Sequence, residues 1–207
     1  MRFSHVLCLI AAVVILAVGA EFALADCQTT GFQQQLVLSA SRPTSIGSAT
    51  FTGQKMWTAE SKGECTFAHL GLKNSIALGA TNVSIEPILG YVGGWYKSSD
   101  GVSVGSKFGA KQGPVALNLS FEWFSDTGEA DWGRHTKFWM HTVGYKVGSF
   151  TVGGLFNKVD RLEKTGPYVA YKGGDHWTVE GRWYRSLNRD PKLGSHVENG
   201  RLILKIS

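Results

Sequence analysis

The chain has 207 residues, 43% of them hydrophobic and 12% aromatic, and a formal net charge of +5. That composition excludes a disordered chain and gives enough apolar material for a folded domain. Its 21 Lys and Arg residues are scattered singly rather than gathered in a nucleic-acid-binding block, and charged residues reach only 18%, below the roughly 25% usual for soluble domains.

Taken in chain order, Arg2, the apolar run Val6 to Ala20 and the small-x-small triplet Ala23-Leu24-Ala25 predict a secretory signal peptide over residues 1–25. The run is shorter than the ~20 apolar residues a spanning helix needs, and Glu21 ends it. Asp26 occupies the position where a lipoprotein would carry a small residue before its cysteine. Cleavage removes Cys8 and leaves Cys27 and Cys65, which in an oxidising compartment are expected to form one disulfide, with two free thiols as the alternative.

Residues 26–49 read as a polar N-terminal segment holding Gln33-Gln34-Gln35, a short strand at Leu36 to Ala40, and a loop from Arg42. Residues 50–207 read as one β-barrel domain. Strand candidates fall at 50–59, 64–72, 74–79, 82–96, 101–110, 114–124, 136–147, 149–158, 166–172, 176–187 and 200–206. Merging and loss are expected to leave eight to ten. Ser98-Ser99-Asp100-Gly101, Gly113-Pro114, Gly148 and Gly173-Gly174-Asp175 carry tight-turn chemistry. Longer connections are predicted at 125–135, 160–165 and 188–199. No helix, repeat or domain linker interrupts the pattern, so the expected fold is a single antiparallel up-and-down barrel, all-β.

The segment Val115 to Trp123 shows the logic. Its odd positions are apolar, apart from Ala116 its even ones are polar or charged, and strand side chains alternate between faces. Alternation alone does not say which face is inside. Three features point to an apolar exterior. The polar faces are small and sparingly charged (Asn82, Ser84, Glu86; Ser103, Gly105, Lys107; Asn118, Ser120, Glu122). The opposite faces carry Tyr91, Trp95, Phe108, Phe121, Trp123, Phe150, Phe156, Trp177 and Trp183, many near strand ends, where interfacial aromatic girdles lie. The strands also have about the length a tilted membrane strand requires.

In pattern and composition, Thr50 to Ser207 resembles the small porin-like β-barrels of the bacterial outer membrane. The resemblance implies membrane lipids as partners, a polar lumen, small solutes as cargo and no cofactor. The final strand alternates Leu202, Leu204, Ile206 but lacks the terminal aromatic such barrels usually carry.

The predicted lumen residues are Lys107, Glu122, Lys146, Glu180, Arg182 and Lys205. Two readings fit them: a constriction that selects by charge, favouring small anionic solutes, or a salt-bridged interior plug. No residue is assigned to catalysis or to a metal, because the five histidines past the leader form no HxH, HExxH or His/Cys group, and nucleophile-elbow, P-loop and GxGxxG signatures are absent. The loop from Ser125 to His135, with Asp126, Glu129 and Asp131, does not fit a calcium-loop pattern. Two alternatives stay open. A soluble periplasmic barrel would bind an apolar ligand against Leu117, Leu119 and Phe121. A barrel enzyme acting on envelope lipids would bring His135 and Asp131 together at one rim.

Overall fold

The computed structural model of the protein describes residues 31–58, 64–93, 101–126, 135–159, 162–189, 196 and 198–207. The predicted leader and Cys27 lie outside them, and so does the side chain of Cys65. The disulfide expectation therefore falls outside the described residues.

Eleven strands close into one barrel: β1 (Gly31–Thr44), β2 (Gly47–Thr58), β3 (Glu64–Leu78), β4 (Thr81–Gly93), β5 (Gly101–Gln112), β6 (Val115–Asp126), β7 (His135–Val147), β8 (Phe150–Val159), β9 (Leu162–Lys172), β10 (Trp177–Ser186) and β11 (Glu198–Ile206). Each strand pairs antiparallel with its chain neighbour. An odd number of up-and-down strands leaves the first and last running the same way, so the closing seam is parallel, with Gln33 opposite Arg201 and Leu38 opposite Ile206. Stepping from partner to partner once around the wall returns to β1 displaced by about 14 residues, a stagger that tilts the strands by roughly 40–45° to the axis.

The strands number eleven against the expected eight to ten, and their boundaries also depart from those expected, for identifiable reasons. From Gly31 on, the segment before Thr50 is not a lead-in: Gly31–Thr44 is the closing strand, with Gln33 and Gln35 facing inward and Gln34 outward, where it accepts from Trp57 Nε1. The candidates at 64–72 and 74–79 are one strand, β3, running through Lys73. β9 begins at Leu162, so only two residues separate it from β8 where a longer connection was expected.

Five tight connections lie at one end of the barrel. Leu78 pairs with Thr81, Gln112 with Val115 and Val147 with Phe150, each across a two-residue loop that starts with glycine. Those glycines, Gly79, Gly113 and Gly148, have φ of 61°, 54° and 58°, the left-handed conformation that two-residue hairpins require and that side chains resist. The residues between paired strands at the other end include 94–100 and 127–134, outside the described residues; the turn expected at Ser98 to Gly101 and the Asp131/His135 pair fall there or on undescribed side chains.

The two faces of the wall differ in kind. Outside are Leu70, Leu89, Val104, Leu117, Val143, Val152, Val169, Leu202 and Leu204, all exposed. Near one end this aliphatic band is edged by Phe32, Tyr91, Trp123, Trp139 and Trp183, and near the other by Tyr145, Phe150, Tyr171 and Trp177. Inside are Gln33, Gln35, His69, Ser103, Glu122, Thr142, Asn157, Glu180 and Asn199, all buried, with Met56, Ile88, Leu155, Tyr168, Tyr184 and Ile203 among them.

Candidate functional site

Inward glycines make room for the lumen's larger groups. A Cβ on Gly90 would stand 2.5 Å from the His69 ring, and one on Gly105 2.9 Å from Glu122 Cγ. The two side chains thus freed to cross the lumen meet: His69 Nε2 lies 2.9 Å from Glu122 Oε2, both almost fully buried. Across the barrel, Gly144 and Gly153 give way to Tyr168, whose Oη and Cε1 would lie 2.2 and 2.7 Å from Cβ atoms placed there. Glycine within a strand interior often marks such a close approach.

A second cluster is built by β1, β10 and β11. Their registers put Gln33 beside Arg201 and Arg201 beside Arg182, with Tyr168 beyond on β9. Two residues along β10 from Arg182, Glu180 accepts from Arg182 Nε and from Nζ of Lys205, which lies four residues along β11 from Arg201. Arg182 Nη1 also donates to Tyr184 Oη at 3.2 Å. Arg201 donates from Nε and Nη2 to Gln33 Oε1, at 3.0 and 2.7 Å, and lies over the Tyr184 ring, 5.3 Å from its centroid. Burial makes these pairings obligatory, since an ion removed from water without a partner costs several kcal/mol.

Between the clusters lies a cavity of about 330 Å³. Lys107, Glu122, Asn157, Arg182, Arg201 and Lys205 reach its wall, with Phe67, Phe124 and Phe138 supplying apolar area. The protein matches no family model, no curated protein and no solved structure.

The structure thus brings Glu180, Arg182 and Lys205 together in one network, while Glu122 pairs with His69. Lys107 stands 3.8 Å from Glu86, which accepts a 2.6 Å hydrogen bond from Thr50 Oγ1. Lys146 shares the inward parity of β7 but is exposed at the turn end, away from the cavity. Arg201, Gln33 and His69 belong to the site and were not among the expected residues. The signal for Arg201 was present, because it shares parity with Lys205 in the last strand; that Gln33 faces it depends on the parallel seam. Leu117, Leu119 and Phe121 do not line the cavity: Phe121 stacks against Trp139 with centroids 4.7 Å apart, and Leu117 is exposed outside. An apolar pocket against these three residues is therefore not formed; the cavity's apolar lining comes instead from residues such as Met56, Phe67, Phe124 and Phe138. Among the described residues, no group of three or more His, Cys, Asp and Glu side chains is placed to hold a metal ion.

Proposed function

We propose that the protein is a membrane-embedded β-barrel of the bacterial outer-membrane type that offers small solutes a narrow, porin-like passage. One observation carries the reading: large apolar side chains cover the outer face, while ion-paired and hydrogen-bonded groups stand inside beside apolar ones. Water would penalise such an exterior, because soluble monomers rarely expose contiguous apolar patches beyond a few hundred Å². Lipid favours it, and the two aromatic edges match the girdles that sit at headgroup level. The closed wall supports the same reading, since hydrocarbon offers no partner for an unpaired strand edge. Bacterial single-chain barrels have even strand numbers, so eleven is a departure. Lipid requires only that every edge be paired, and the β1–β11 seam pairs the last one.

Transport in this reading is passive diffusion past Glu122, Glu180, Arg182 and Lys205, with the 330 Å³ cavity restricting size. The second reading, a structural barrel with a salt-bridged plug, is favoured by one feature: Glu180 ties Arg182 and Lys205 into one buried ion-paired network on the inner face of β10 and β11. Membrane fractionation with heat-modifiable gel mobility, followed by planar-bilayer recording, separates them. Outer-membrane recovery with a mobility shift and a small conductance is expected. Insertion without conductance would select the plug, and recovery in the soluble periplasmic fraction would overturn both.

A further inference from the structure

We propose that the Arg182–Arg201 pair forms a lumenal binding station for a small hydroxylated anion bearing a carboxylate or phosphate group; its role in transport rests on the membrane reading above. The two arginines are direct cross-strand partners on the inward face of β10 and β11. Like charges directly opposite one another destabilise a sheet, so the pair needs compensation. Glu180 supplies it for Arg182, but the same carboxylate also serves Lys205. Among the described residues, Arg201 is held only by neutral groups, the Gln33 side-chain oxygen and the Tyr184 ring. Three cations therefore stand beside one carboxylate, and the carboxylate lining the cavity, Glu122, is paired with His69. Gln33 takes two of the five guanidinium N–H groups of Arg201, and the other three have no acceptor among the described residues.

The unused capacity adjoins the cavity, whose wall all three cations reach, together with Lys107. Its volume of about 330 Å³ lies at the small end of the roughly 300–1,000 Å³ range of ligand sites. Asn157 and Asn199 line it too, 8% and 3% exposed, each with an amide oxygen that no group among the described residues satisfies. Buried polar atoms of this kind require a partner. A carboxylate or phosphate suits the planar fork of Arg201, and hydroxyl groups on the same molecule would donate to the two asparagine oxygens. The station lies inside the wall, away from the outer apolar face, which selects a dissolved anion rather than a lipid headgroup.

Calorimetric titration of the full chain with gluconate, inorganic phosphate and uncharged sorbitol tests this. It is run on whichever form is recovered, detergent-solubilised or soluble. Saturable binding of gluconate and phosphate but not sorbitol is expected. Arg201→Gln should weaken it at least tenfold, and Arg201→Lys, which keeps the charge but loses the fork, should fall between that variant and the parent. Lys172→Gln, at an exposed residue ending β9 near Asp175 and outside the cavity lining, should leave it unchanged. No saturable binding by the folded parent, equal binding of sorbitol, or parental affinity in folded Arg201→Gln would each overturn the proposal. A soluble protein that still binds the anions keeps the station and loses the membrane setting. An inserted barrel that binds neither does the reverse.

Discussion

Glu180 ties together the ion-paired network on the inner face of β10 and β11. Its side chain is 6% exposed, and it accepts from both Arg182, 8% exposed, and Lys205, 39% exposed. Removing one partner of a buried pair costs roughly 3–5 kcal/mol, because the other charge stays buried and uncompensated. Glu180→Ala should therefore lower unfolding stability by about that amount, less the small share of the half-exposed Lys205 pair. Urea unfolding followed by tryptophan fluorescence reads it; a loss below about 0.5 kcal/mol would contradict a structural role for the network. Glu180, Arg182 and Lys205 were legible in the sequence because alternation assigns each residue a face without knowledge of its neighbours. His69 and Gln33 were not. Their roles depend on which strands cross the lumen from one another and on a parallel seam, and neither leaves a local pattern.

Strands and turns follow from simple chemistry, and the turns give a sharp test. Gly148 opens a two-residue hairpin at φ 58° with open space around its missing Cβ. Gly148→Ala should thus cost only the left-handed penalty of about 1–2 kcal/mol, measured as a shift in the urea midpoint. Gly166 is a different case. A Cβ there would lie 1.8 Å from the Trp183 carbonyl oxygen, a backbone atom that cannot yield without separating β9 from β10. Gly166→Ala should abolish the heat-modifiable folded form, whereas Gly154→Ala, with nothing within 4 Å, should retain it. Most strands were readable from alternation and turn residues. β1 was obscured because its inward face begins with glutamines and it contains Arg42-Pro43, which signal loop; Pro43 is accommodated opposite Ser48 near the turn. β3 divides at Lys73 in the sequence pattern, but the strand runs on because its ladder with β2 is unbroken there, while the pairing with β4 skips Leu72 and Lys73.

For the molecule as a whole, the outer face decides between lipid and water. Leu202, midway along β11, is exposed on that face. An Arg there would cost about 2–4 kcal/mol at a bilayer midplane, but only within about ±0.5 kcal/mol on a surface bathed in water. The tryptophans permit a more direct reading. Trp123, Trp139, Trp177 and Trp183 all lie on the exposed outer face toward the barrel ends. The full chain would be reconstituted into vesicles whose lipids carry bromine either near the headgroup end or at mid-chain. An outer wall in lipid predicts strong quenching of tryptophan emission, greater with the shallow bromines than with the deep ones. Emission unaffected by bromine at either depth would contradict the membrane barrel.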